Sequence, residues 1–378
     1  MRGHAALAVA LVAVFSVAVV SLGVKSGHEF WPRPHADVSE RESGAPPVAA
    51  SLGRPQGAPR LAVWEANAAR VMDDFTLAAA GIRVPVGANV FAARIYAGGQ
   101  SPAYRFYEAG GGAFDETFYP ASAVKLLAAL GALDFAASLG FTGDVVIDGG
   151  STLREIVDGA IRWSSNDDYD LLVQIAGADR LNLEFLPANG YDTTVIQESY
   201  TNADVLLWSP SMVLSEDGRE VEVPERNGRG FYGCGVTNCS TLFDLTDAIR
   251  RVVLDAEIPT AERFALAPAD ITALQVSLLG ADAWITPGVQ DALGSDALVF
   301  AKPGHVGGLD CVDDALVAAP SSGDRYLIGL SVPDYEGCDL LPALAAEVLT
   351  VLDHERDGPA LRTDGSLVDV VDGHQVHD

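Results

Sequence analysis

The chain has 378 residues, 49% of them apolar and 20% charged, enough for one large domain or two smaller ones around a sizeable core. Its formal net charge of −28 keeps it soluble and argues against nucleic acid or an anionic membrane surface as partner. The plain reading of that charge is a solvated acidic surface.

Residues 5–24, "AALAVALVAVFSVAVVSLGV", form an uncharged apolar run about as long as a bilayer-spanning helix. The run exceeds the usual hydrophobic core of a signal peptide, and no small-x-small cleavage pattern follows it closely. Residues 1–25 are therefore expected to be a signal-anchor rather than a removed signal peptide. Arg2 and Lys25 flank the run evenly, so the positive-inside rule sets no orientation. In either case the remainder is expected outside the cytoplasm. Residues 26–59, rich in Pro, Gly, Ala and Ser, read as a flexible linker.

The globular pattern begins near residue 60. "RLAVWEANAARVMDDFTLAAAG" (60–81) has helical spacing and stops at Gly81. Residues 88–98 and 103–110 read as a β-hairpin around "GGQSP". "FYPASAVKLLAALGAL" (118–133) starts a largely apolar helix, and 151–165 is an amphipathic helix with Ser151 placed to cap it. Further helices are expected near 168–177, 179–188, 240–254 and 267–279. Strands return at 297–304, 313–320 and 325–332, and a last helix covers 340–355. Residues 356–378 read as an acidic, disordered tail. Strands at both ends with helices between predict an α+β domain over 60–355: one mainly antiparallel sheet built from both chain ends, with an inserted helical region. The four cysteines are an even number, which suits disulfides in an exported chain. Cys234–Cys239 and Cys311–Cys338 is the first expectation among three connectivities, and the spacings do not suit a zinc site.

Lysine occurs only at 25, 125 and 302, while arginine fills every other basic position. Arg stays protonated, whereas a desolvated Lys amine can lose its proton and act as a base. Ser122 lies one helical turn before Lys125, so the two share a face. A lone Ser-x-x-Lys arises by chance about once in a chain this long. Here it is followed by Ser164-Ser165-Asn166 at the end of an amphipathic helix and by Lys302-Pro303-Gly304 at the end of a strand.

That order of motifs resembles the class A β-lactamases and related penicillin-recognising serine hydrolases with a β-lactamase/transpeptidase-like fold. The likeness runs from about 86 to 355. The resemblance implies Ser122 as nucleophile, Lys125 as its base, Ser164 as a proton relay to the leaving group and Lys302 as a source of positive potential. It implies that Asn166 holds a substrate amide and positions Lys125. It also implies an oxyanion site from the backbone N–H groups of Ser122 and His305, beside Gly304. "QESYTN" resembles the family's Ω-loop, with Glu198 activating the deacylating water and Asn202 helping to hold it; Asp192 is the rival acid. Asn238-Cys239-Ser240 matches a glycosylation sequon, for which chance is the better account.

Three features depart from the family. Position 303 is Pro, where the family has a Thr or Ser hydroxyl for the substrate carboxylate. The strand after Lys302 carries Asp313 and Asp314 near the place of a carboxylate-binding arginine. The segment between Lys125 and Ser164 is shorter than usual. The expected function is a serine hydrolase acting through an acyl-enzyme, with β-lactams as first substrates. The alternatives are a hydrolase or carboxypeptidase of cell-wall peptides or another amide or ester, and a non-catalytic penicillin-binding or sensor domain. No metal or cofactor is implied, and a monomer is expected.

Overall fold

The computed structural model describes residues 78–354, apart from 79–80, 97–101, 111, 115, 203–204, 308–309 and 334–336. The apolar run 5–24, the linker, nearly all of the expected helix 60–81 and the tail from 356 lie outside the described residues. Gly81, its expected stop, has φ +83°, and its N–H donates to the Ala78 carbonyl (3.0 Å). Such a left-handed residue is the usual helix terminator.

The strands are β1 (Asn89–Tyr96), β2 (Ala103–Ala109), β3 (Val146–Ile147), β4 (Met212–Glu216), β5 (Arg219–Val223), β6 (Leu298–Ala301), β7 (Gly304–His305), β8 (Asp310–Ala319) and β9 (Asp324–Pro333). Two further short strands, Trp208–Ser209 and Arg226–Asn227, pair with each other. The helices are α1 (Lys125–Ser138), α2 (Leu153–Arg162), α3 (Asn166–Ala176), α4 (Leu242–Val253), α5 (Pro268–Leu279), α6 (Thr286–Leu293) and α7 (Leu340–His354). The expected 179–188 helix is broken in three: Ala178–Arg180, a π turn at Leu181–Phe185, and Leu186–Ala188.

The main sheet runs β2-β1-β9-β8-β6, all antiparallel, with β7 also pairing β8. Both chain ends thus supply its strands, as the α+β expectation requires. Its interior strands read as continuous apolar runs because both faces are covered. Phe91, Ala93, Ile95, Val312, Leu316 and Leu327 face the helical region of α1 to α5. Val90, Ala92, Ala315, Val317 and Ile328 face α6 and α7. The helix Ala121–Ser138 is long and apolar enough to cross a membrane, but it is the central core helix and mostly buried. Cysteine pairs Cys234–Cys239 and Cys311–Cys338 are bonded as neighbour pairing expects.

One local expectation needs correction. The cap of α2 is Thr152 rather than Ser151. The Thr152 hydroxyl accepts from the Glu155 N–H (3.2 Å) and the Glu155 carboxylate accepts from the Thr152 N–H (2.9 Å), a capping box. Ser151 instead closes the preceding turn, its carbonyl accepting from the Ile147 N–H (3.1 Å). The hairpin β4–β5 and helix α6 were not expected. The hairpin turns at Asp217-Gly218, both with positive φ (53° and 78°), the backbone that a tight two-residue turn demands.

Candidate active site

Ser122 sits in a single 3-10 turn, Ala121–Val124, that leads into α1. Ala121 just before it has φ +45°, a left-handed conformation rare for alanine, and its carbonyl accepts the Tyr200 hydroxyl. Backbone strain of this kind costs on the order of 1–3 kcal/mol and gathers at functional sites. Lys125 follows as the first residue of α1 and is fully buried. Burying an amine costs several kcal/mol unless its donors are met. Here Lys125 Nζ donates to the Ser164 carbonyl (2.6 Å) and to Asn166 Oδ1 (2.7 Å), and lies over the ring of Tyr200 at 5.5 Å.

Ser164 links the two lysines. With φ +53° it turns the chain between α2 and α3 and aims both its oxygens inward. Its Oγ lies 3.4 Å from Lys125 Nζ and 3.0 Å from Lys302 Nζ. Lys302, also fully buried, donates in addition to the carbonyl of Pro303 (2.9 Å). Burial, and then the nearby charge of Lys302, lower Lys125 to about 7. Burial lowers Lys302 to about 8, against the pull of Asp314 and Asp313. A site with one neutral and one charged amine on either side of a hydroxyl can take a proton from a nucleophile and hand it to a leaving group.

The strand end closes over this turn. A Cβ on Gly304 would stand 2.5 Å from the Pro120 carbonyl, 2.6 Å from the Ala123 N and 2.9 Å from the Ser122 N. Glycine is thus required for β7 to lie against the backbone of Ser122. His305 follows, exposed, with its ring 6.0 Å from Trp284 and its backbone opposite Cys311 on β8. Gly304→Ala is expected to push β7 outward and slow acylation about 100-fold, the typical effect of a displacement near 1 Å. The check is the rate of adduct formation by intact mass, with circular dichroism to show an unchanged fold.

Glu198 lies on the loop after Val195, which pairs with Cys239 as an isolated antiparallel bridge. The half-buried carboxylate accepts from the Asn238 N–H (3.4 Å) and meets the Tyr119 hydroxyl. Burial raises its pKa, while those two donors oppose the rise. Its partner is not the one expected. Asn202 is exposed, donating from Nδ2 to Thr201 Oγ1 (3.1 Å), and is not part of the Glu198 cluster. Fully buried Asn238 holds the segment instead. Its Oδ1 accepts from the N–H groups of Gln197 (2.7 Å) and Glu198 (2.9 Å), and its Nδ2 donates to the Tyr169 hydroxyl (2.9 Å). Burial also disposes of the sequon at that position.

Asp170, one turn after Asn166 on α3, anchors the rest of the loop. Its carboxylate accepts from the Ser199 hydroxyl (2.5 Å), the Tyr200 N–H (2.8 Å) and the Thr201 hydroxyl (2.5 Å). Tyr200 then stacks on Tyr169 (4.3 Å between centroids), and its carbonyl accepts from Asn166 Nδ2 (3.3 Å). Helix α3 therefore positions both Asn166 and the loop that carries Glu198. Neither Asp170 nor Asn238 was singled out from sequence as part of the site. Asp192, the rival acid, lies beside Thr193 and Thr194, whose hydroxyls bond Asp244 on α4 (2.9 and 2.8 Å) rather than the lysine cluster.

No family model matches the sequence, and no curated protein matches it. The fold does match solved structures. PBP-A superimposes with a TM-score of 0.50 at 16% identity, over 72% of this chain and 92% of that one. A mutant of the last common ancestor of Gram-negative bacteria β-lactamase class A gives 0.50 at 18% identity, over 74% of this chain and 98% of that one. The chain therefore has the β-lactamase/transpeptidase-like α+β fold.

Proposed function

We propose that the protein is an active-site serine hydrolase. Ser122 Oγ attacks an acyl carbon, Lys125 takes its proton, and the N–H groups of Ser122 and His305 hold the oxyanion. Each such donor is typically worth about 3 kcal/mol. Ser164, whose Oγ accepts from both lysine amines, passes the proton to the departing group. Water activated by Glu198 then releases the acyl group. The observation that carries this reading is the placement of Ser164 Oγ 3.4 and 3.0 Å from two buried lysine amines, with Ser122 one turn away on the same helix start. A binding or sensor role has less support, because burying two lysines together is costly without a use for them.

Among substrates, β-lactams are the first donors to test because the fold's neighbours include class A β-lactamases by name. Pro303, which has neither hydroxyl nor N–H, favours the second reading, an amide or ester such as a cell-wall peptide. Export belongs to the same proposal and rests on the apolar run 5–24 and the paired cysteines. Incubation with a fluorescent penicillin and, separately, with an activated neutral ester, followed by intact-mass measurement, tests the function. A transient adduct identifies a hydrolase of that donor and a persistent one a penicillin-binding protein. No adduct and no turnover with either contradicts the proposal.

Glu198→Ala is expected to acylate at near the normal rate and to hold the adduct at least tenfold longer, general-base steps being worth about 10²–10⁴. Equal slowing of both steps would assign Glu198 another task.

A further inference from the structure

The Lys302 end of the cleft is unsuited to an anion, and several independent features make it so. Lys302 is fully buried and turned inward, its amine committed to Ser164 Oγ (3.0 Å) and the Pro303 carbonyl (2.9 Å). Pro303 offers an outside ligand neither a hydroxyl nor an N–H. The adjoining strand places one carboxyl group, Asp314, on the same sheet face as the amine and a second, Asp313, on the opposite face. The Lys302 N–H bonds the Asp314 carbonyl (3.1 Å), so Lys302 and Asp314 are neighbours across β8. Asp313 and Asp314 are both fully buried. Asp313 accepts from the Ile285 N–H (3.0 Å), while both Asp314 side-chain oxygens are buried with no hydrogen-bond partner among the described residues.

By strand alternation Lys302 and Asp314 lie on the sheet face that packs against α1 to α5, while Asp313 lies on the other face, against Ile285. The Lys302–Asp314 pair is thus at most +1, and it is neutral once Asp314 ionises, with Asp313 across the sheet adding no positive charge. In a low-dielectric interior each unit of charge acts far more strongly than in water. Gly329, opposite Asp314 on β9, lets α4 pack directly on the sheet, since a Cβ there would meet Thr246 Oγ1 at 2.5 Å. The nearest helix offers no compensation: Arg250 on α4 is bound to Asp247 (2.8 Å) and Glu262 (2.9 Å), and Arg251 to the Glu262 carbonyl (2.6 Å). The overall charge of −28 acts in the same direction at long range.

Resting on the serine-hydrolase reading, we infer that the acyl donor is uncharged where it passes Lys302: a neutral ester, thioester or amide rather than one bearing a carboxylate. In the reaction Ser122 Oγ forms a bond to the acyl carbon as the bond to the leaving group breaks. The leaving group departs with the proton taken from Ser122, and water then returns the free acid. Lys302 serves the Ser164 hydroxyl in this scheme and not the substrate.

The test uses two phenylacetylglycine aryl esters that differ only in the meta group of the leaving phenol, carboxylate in one and carboxamide in the other. The wild-type enzyme is expected to favour the carboxamide in kcat/KM by at least about tenfold, the size of one missing hydrogen bond to a charged group. The preference is expected to survive 0.5 M salt, which screens surface charge but not buried groups. Pro303→Thr, which supplies a hydroxyl, and Asp314→Asn, which removes an ionisable carboxyl beside Lys302, are each expected to narrow the ratio several-fold. Turnover of both esters with the carboxylate equal or preferred overturns the inference while leaving the hydrolase reading intact. A preference that vanishes in salt also overturns it, assigning selectivity to the surface. Failure of both esters to acylate Ser122 overturns the hydrolase reading and this inference with it.

Discussion

Ser122→Ala is expected to abolish covalent adducts with every acyl donor and to lower turnover by about 10⁴–10⁶, as removal of a nucleophile does in serine hydrolases. The fold should be unaffected. Ser122 is only half-buried in its 3-10 turn, and the backbone bonds that define the turn, such as Lys125 N–H to the Ser122 carbonyl, do not involve its side chain. Circular dichroism and thermal unfolding should therefore match the wild type. Undiminished acylation in this variant would contradict the mechanism at its first step.

Lys125→Met is expected to slow acylation by about 10²–10⁴, the usual worth of a positioned base. Met keeps most of the buried volume but leaves the Ser164 carbonyl and Asn166 Oδ1 without their donor, so some stability is lost as well. The pH profile separates the two effects. In the wild type, acylation should rise with pH through about 7 as Lys125 loses its proton, and fall above about 8 as Lys302 loses its own. The two amines interact, so these limbs belong to the pair. In Lys125→Met the acidic limb should disappear. A variant that is slow but keeps the same rising limb would show that another group is the base. The same shifts affect folding. Both lysines bind protons more weakly folded than unfolded, so stability should increase as pH rises from about 7 towards the ordinary lysine range.

Much of this site is legible in the sequence for a specific reason. With lysine so rare, the residues at 125 and 302 stand out, and the serines at 122 and 164 lie at fixed short distances along helix starts and ends. Local geometry then does most of the work of assembly. Asn166 follows the same logic, sitting two residues past Ser164 at the first turn of α3.

The parts that were missed depend on contacts between distant segments. Glu198 and Asn202 look like partners because they are four residues apart, but the chain turns away at Ser199 to Thr201, where Asp170 captures it. The true neighbour, Asn238, arrives through the bridge between Val195 and Cys239, a pairing that no local pattern announces. Asp313 and Asp314 were noticed only as replacements for an arginine. That Asp314 lies buried beside Lys302, with Asp313 turned to the opposite face, follows from the register of β8 against β6, with Ala315 opposite Ala301. The β4–β5 hairpin is a different case: Asp217-Gly218 between alternating residues is a local turn signal that needs no distant contact.

The central claim is that an acyl group is carried on Ser122. The most direct measurement is rapid acid quenching of the protein with an activated neutral ester, followed by proteolysis and mass spectrometry of the peptides. The account predicts one acylated peptide, modified at Ser122, that forms faster as pH rises towards 7 and decays as product appears. Acylation at any other residue, or product release at full rate with no acyl-enzyme at any quench time and an active Ser122→Ala variant, would contradict it.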